Sequence, residues 1–219
     1  MMGTGTSTRN LQTKEQIRAS IIDAALKLFL SNGYEHVSMR KIADVIQYTP
    51  TTIYHHFQNK EELLQELFHI GFAKFNRTIR AVFYESLEQT GEQRLSAMLL
   101  AYIEFSMDEP QHHQLIFHKF IDRVLACMQT APESMDKESY EGMFLLMQTV
   151  KALVAERERD GDGGDGESLT DVTEAAIFLW TAVNGYTNMF FPLHRSVERE
   201  WRRQHAERFV DQLLRGVLY

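Results

Sequence analysis

Cysteine is nearly missing from this chain: Cys127 is the only one in 219 residues. A single thiol excludes an intrachain disulfide and a cysteine-based zinc site. A buried, inert side chain is the expectation for it. Proline is scarce as well, and none of the four interrupts a long periodic segment, which favours helix. No run of about 18 apolar residues marks a membrane span. No charged-then-apolar pattern marks a secretion signal. A cytoplasmic location is therefore expected. Alternating apolar and polar residues, the mark of a half-buried strand, occur nowhere at convincing length. Catalytic signatures are missing too: there is no HExxH, no paired-glycine loop and no nucleophile motif. The expectation is a protein that is not an enzyme and has no cofactor.

Helical periodicity dominates what is there. Hydrophobic residues make up 44% and charged residues 24%, the balance of a globular protein. Residues 1–12 are small and polar without periodicity and read as a disordered tail. Ile17, Ile21, Ala24, Ala25, Leu28 and Phe29 then line one face of a helix. Asn32-Gly33 closes it, Gly33 being free to take a left-handed conformation. Ser38 caps a short helix through Ile42, Ala43 and Ile46. After Gln47-Tyr48, Thr49 caps another short helix, with Pro50 at its first position, where the missing N–H costs nothing. Asn59 caps a long helix that begins at Lys60. Further apolar periods run on to Leu218, giving an all-α fold of about nine helices.

Two short helices around a tight break form a helix-turn-helix, the geometry that places a second helix in the major groove of DNA. Charge agrees with this. Residues 1–60 carry seven Lys/Arg against four Asp/Glu, a net of +3, whereas the remainder carries 16 against 26, a net of −10. A basic front on an acidic body calls for an anionic partner at the front. Threonines at the head of the second helix suit phosphate and base edges, and Tyr54 and the histidines suit phosphate.

From Ile17 to Leu64 the sequence resembles the DNA-binding domain of the TetR family of bacterial repressors. The matching stretches are A24-A-L-K-L-F29, G33-Y34, V37-S-M-R-K-I-A43, T52-I-Y54, H56-F57, N59-K60 and E62-L-L64. The resemblance implies that Ser38, Met39 and Arg40 lie near phosphate or bases. It implies that Thr49, Pro50 and Thr51 face base edges, that Thr52, Tyr54, His56 and Lys60 hold phosphates, and that His55 reads the groove. Gln47 stands where the family usually has glycine in the turn, which implies either strain or a different turn geometry, and Thr51 replaces another frequent glycine, adding a side chain near the bases. The implied organisation is a DNA-binding domain at 13–60 and a helical effector-binding and dimerisation domain at 61–219.

The remaining sequence is less explicit. F178-L-W-T-A-V-N-G185 is loosely similar to a Trp-x-x-x-His-Gly pattern of some family members, with Asn184 at the histidine position. Phe68, Phe72, Phe75, Ile103, Phe117, Phe120, Phe144, Met147 and Trp180 form an aromatic and Met-rich set that, with Tyr102 and Asn184, is the candidate lining for a mostly apolar ligand. Plain core packing is the expected role of most of these residues. Columns Phe209, Leu213, Val217 and Val210, Leu214, Leu218 make the last helix broadly apolar. With Thr187 and Phe190 on the preceding helix, they are the candidate dimer interface.

Two metal readings fail. The stretch D160-G-D-G-G-D-G-E-S168 lacks the glycine and glutamate of an EF-hand and reads as a flexible acidic connector. His113 and His118 are off the i, i+4 spacing that would put two ligands on one helix face. No metal is therefore expected. The function expected is a homodimeric repressor on a palindromic operator in double-stranded DNA, released by a small apolar effector. The alternative is a co-regulator of the same fold that works through protein contacts without gripping DNA.

Overall fold

The computed structural model describes residues 5–119, 141–160, 172–193 and 196–218. Nine α-helices and no strands occur among them. They are α1 (Gly5–Asn32), α2 (Met39–Val45), α3 (Pro50–Tyr54), α4 (Lys60–Glu85), α5 (Gly91–Asp108), α6 (Pro110–Gln114), α7 (Glu141–Asp160), α8 (Val172–Leu193) and α9 (Arg199–Leu218). Phe120, Cys127 and most of the acidic stretch fall outside the described residues. One expectation changes at the start: α1 begins at Gly5, inside the stretch read as a disordered tail. Between Thr6 and Asn32 there is neither glycine nor proline, so nothing stops the helix from propagating toward the amino terminus.

The chain divides into two compact units, Met1–Gly71 with Gln111–Asp122, and Phe72–Pro110 with Arg123–Tyr219. This is not the expected division at residue 60. The first turns of α4 bury Leu63, Leu64 and Leu67 in the core of the first unit, and Leu115, just beyond α6, joins them. Apolar burial, at roughly 1.5–3 kcal/mol per large side chain, outweighs position along the chain in setting this boundary.

Local caps decide the first unit's shape. Gly33 has a φ of 83° and its N–H reaches Phe29 O at 3.1 Å, closing α1. Ser38 Oγ accepts from Lys41 N at 3.2 Å and starts α2. Asn59 Oδ1 accepts from Glu62 N at 2.8 Å and starts α4. Behind these caps, Ile21, Ala25, Phe29, Ile42, Ala43 and Ile53 are fully buried or nearly so.

In the second unit α5 packs against α7, α8 and α9. Thr90 and Gln93 form a reciprocal capping box that fixes the start of α5. The start of α7 is held from another helix: Asn76 Oδ1 on α4 accepts from Gly142 N at 2.9 Å, and Arg80 pairs with Glu141 at 3.1 Å. Gly142 leaves no room for a side chain there. A Cβ would lie 2.9 Å from the Phe75 ring and 3.0 Å from Asn76 Oδ1. Since Phe75 is fully buried and cannot swing away, Gly142→Ala should cost about 1–3 kcal/mol. Chemical denaturation checks this, and an unchanged midpoint would contradict the packing.

Candidate nucleic-acid interface

The exposed head of α3 is built from its own cap. Thr49 Oγ1 accepts from Thr52 N at 3.3 Å, and the two hydroxyl oxygens lie 3.0 Å apart. Pro50 takes the first helical position. Ile53 is 0% and Phe57 2% exposed, so this short element is anchored from below. The upper face is left to solvent: Thr51 and His55 are exposed, and Tyr54 is 55% exposed. His55 is the C-cap residue, just beyond the last helical turn.

Positive charge gathers beside this face. His56 is held below the ordinary histidine pKa by desolvation, then by the charges of Lys14, Arg18 and His55. Lys14 and Arg18 therefore belong to the same basic patch, although they lie on α1. Arg18 is fixed there by Glu66 at 2.8 Å, with its guanidinium 5.1 Å from the centre of the Phe57 ring. Nothing in the local sequence around Lys14 and Arg18 points to this position. Only the folded chain brings them beside the histidines.

One expected contact residue is turned inward, and another carries a second task. Met39 is 6% exposed and belongs to the core, because α2 turns that position inward, so its side chain is not available to phosphate. Lys60 Nζ donates to Tyr34 O at 2.8 Å and sits 4.0 Å from the centre of the Tyr34 ring. Tyr34 Oη in turn donates to Glu61 Oε2 at 2.9 Å. Lys60 thus fastens the start of α4 to the turn after α1, a structural task in addition to any contact with DNA. Ser38 and Arg40 are exposed, as a contact role requires.

Of the two outcomes open for the turn, the backbone takes the left-handed one. Gln47 has a φ of 59°, the only positive φ at a non-glycine position among the described residues.

The candidate ligand set separates into several groups. Phe75, Tyr102 and Trp180 come together, with ring centres 5.8 Å apart for the first pair and 5.6 Å for the second. Tyr102 Oη donates to Asn184 Oδ1 at 2.9 Å, and Asn184 Nδ2 donates to Trp180 O at 3.0 Å. Burial pushes the Tyr102 phenol well above its ordinary pKa, against the smaller opposing effect of Asn184. Phe105, 5.5 Å from Phe75, joins this cluster and was missed. Its helix carries apolar residues around more than one face, which blurs the period. Phe72 and Ile103 are buried in the same unit, with Met147 half-buried. Phe144 is 52% exposed, because α7 turns Met143, Leu146 and Val150 inward instead. Phe68 and Phe117 belong to the first unit.

The candidate dimer residues also divide. Thr187, Val210 and Leu214 are buried within the subunit at 4%, 0% and 3% exposure. Phe190 and Phe209 flank Tyr186 in a stack, with centres 4.7 and 4.1 Å from its ring. Desolvation raises the Tyr186 pKa to about 12. Leu213 is half-buried, and the Val217 side chain lies outside the described set. The exposed apolar surface of α8 comes from residues not selected beforehand: Ile177, Phe178, Met189 and Leu193. Their signal was the apolar character of that helix on all sides.

Residues 21–67 match the profile described as bacterial regulatory proteins of the tetR family, and residues 95–217 match that of the tetracyclin repressor-like C-terminal domain. The chain belongs to the TetR family. The amino-terminal match spans the helix-turn-helix, and the relatives matched there are transcriptional regulators. Among curated relatives, the regulator UidR of Escherichia coli K12 is 34% identical over 80 residues, covering 34% of this chain and 41% of that one. The chain therefore spans about two fifths of that relative's length. The probable regulator ArpR of Pseudomonas putida is 26% identical over 195 residues, covering 87% of each chain. Solved TetR-family folds superpose along most of the chain. The ketosteroid transcriptional regulator KstR2 of Mycobacterium tuberculosis gives a TM-score of 0.63 at 18% identity, covering 91% of this chain and 94% of that one. A regulator from Bordetella parapertussis gives 0.64 at 20% identity, covering 91% and 95%. At such identities the likeness is one of fold. Among the described residues no helix is long and apolar enough to cross a membrane.

Proposed function

We propose that this TetR-family protein is a homodimeric repressor that holds a palindromic operator and releases it when a small, uncharged, mostly apolar effector enters the second unit. The observation that carries the DNA part is the exposed row Thr51, Tyr54 and His55, rigidly seated on buried Ile53 and Phe57 beside the Lys14, Arg18 and His56 patch. Phosphates meet the basic patch and fix the register, while the exposed row meets base edges. Two such heads in a two-fold dimer demand a two-fold operator. The exposed side chains of Ile177, Phe178, Met189 and Leu193 on α8 supply apolar surface for a partner subunit, more than the inward-facing Val210 and Leu214 do.

The effector's chemistry follows from what is buried. Asn76, Ser86, Ser106, Thr149 and Thr187 are the buried polar residues described in the second unit, and none carries a charge. None of these five side chains would serve a charged ligand as counter-ion for its lost hydration. A neutral ligand with one hydrogen-bonding group suits the Tyr102–Asn184 pair. Because α4 begins directly after the recognition helix and ends inside the second unit, a ligand that favours a different placement of α4 would alter the spacing of the two reading heads. Such a ligand acts only through its differential affinity for the two states.

Two substitutions separate clamp from reader. Lys60→Ala should weaken binding to every duplex about equally and reduce the salt slope by about one. It should also lower the melting temperature, since the bond to Tyr34 O is lost. His55→Ala should change which bases are preferred. Titrations of both variants against a panel of duplexes decide the matter. An equal loss on all sequences for His55→Ala would remove it from the readers.

A further inference from the structure

Gln47 occupies the left-handed region in the turn between α2 and α3, at a φ of 59°. For an L residue with a long side chain this costs on the order of 1 kcal/mol that glycine would not incur. The turn does not need the side chain. Its backbone closes by itself, with Ile46 N on Ile42 O at 3.3 Å, Gln47 N on Asp44 O at 3.3 Å and Tyr48 N on Ala43 O at 3.0 Å. The Gln47 side chain is exposed, and its amide makes no hydrogen bond to any of the described residues. It stands two residues before Thr49, the cap of the recognition helix, and four before exposed Thr51.

We infer that Gln47 is a sequence-reading residue: its amide meets a base edge next to the bases read from the head of α3. The strained backbone is consistent with a side chain that is retained for a task outside the fold. A primary amide offers one donor and one acceptor side by side, the pattern that pairs with adenine N7 and N6 in the major groove. The left-handed backbone also limits where the side chain can point, so less freedom is lost on contact. This inference rests on the DNA-binding reading above and adds one position to it.

The test uses the full-length protein and a randomised duplex library, from which the wild type enriches its own preferred duplex. Gln47→Gly and Gln47→Met are then compared on that duplex and on its single-base variants. Gln47→Gly should raise the melting temperature by about 2–4 °C, because strain is relieved. Gln47→Met keeps the length and removes the amide. Both should lose discrimination at one base pair of each half-site, by roughly 5- to 100-fold, with little change at other positions. Unchanged base preference in either variant, or a loss spread evenly over all duplexes, would overturn the inference. Failure of the wild type to enrich any duplex would instead contradict the DNA-binding reading itself.

Discussion

Between pH 7.5 and pH 5 the protein should lose stability steadily, and His113→Leu should remove much of that loss. His113 is 5% exposed, packs its ring 5.3 Å from Phe117 and 5.2 Å from His118, and has its pKa lowered to about 3. Desolvation is the main cause and the neighbouring His118 the second. The sign follows from proton counting. In the unfolded chain the imidazole titrates near 6.5, whereas in the folded chain it stays neutral until about 3. Below pH 6.5 the unfolded state therefore binds a proton that the folded state does not. Stability then falls with pH, approaching about 1.4 kcal/mol per unit, down to about pH 3. His118, also held below its ordinary value by burial, and His56 act in the same direction. Urea denaturation at pH 7.5, 6 and 5 reads the slope. Leucine is a neutral apolar replacement, so the variant should show a shallower slope whatever its absolute stability. An identical slope would contradict the burial of His113 in the neutral form.

Phe57→Ala should abolish DNA binding by melting the reading unit. Phe57 is 2% exposed, lies under the Arg18 guanidinium, and shares its core with Ile53, Leu63 and Leu64. Truncating a buried phenylalanine costs about 3–5 kcal/mol, a large part of the stability of one small unit. The second unit has its own core around Phe75, Tyr102 and Met98 and should remain folded. The expected result is a partial loss of helical signal at room temperature, a retained unfolding transition at higher temperature, and no binding to the selected duplex. A variant that keeps full helicity and binding would show that the helices stand without this ring.

The reading unit was largely legible in the sequence because its determinants are local. Ser38, Thr49-Pro50 and Asn59 act on backbone groups within a few residues, and each caps the helix expected of it. Where the cause lies far along the chain, the sequence was silent. Nothing near Lys60 in the chain reveals that it binds Tyr34 O, 26 residues away. The family resemblance places Met39 near phosphate, yet the helix turns it inward. Lys14 and Arg18 come beside His56 only through the packing of α1.

The second unit was harder for a different reason. Its helices carry apolar side chains on several faces, so periodicity could not say which face turns inward. Phe144, a candidate by composition, is exposed, while Phe105 on the neighbouring α5 is buried. The Tyr102–Asn184 bond joins residues 82 positions apart, a separation no local pattern encodes. The same ambiguity hid Ile177, Phe178, Met189 and Leu193, whose exposure is the more informative feature of α8.

Whether the protein grips a specific duplex is read most directly by a single titration. The duplex enriched by the wild type and a scrambled duplex of equal length are each labelled and titrated with the full-length protein between 50 and 200 mM salt, concentrations chosen on the order of those that resolve the counterion effect. The selected duplex should bind at least about 1,000-fold more tightly, and both affinities should fall steeply as salt rises. Equal affinity for the two duplexes across the whole salt range would contradict a sequence-specific regulator built on the exposed face of Thr51, Tyr54 and His55.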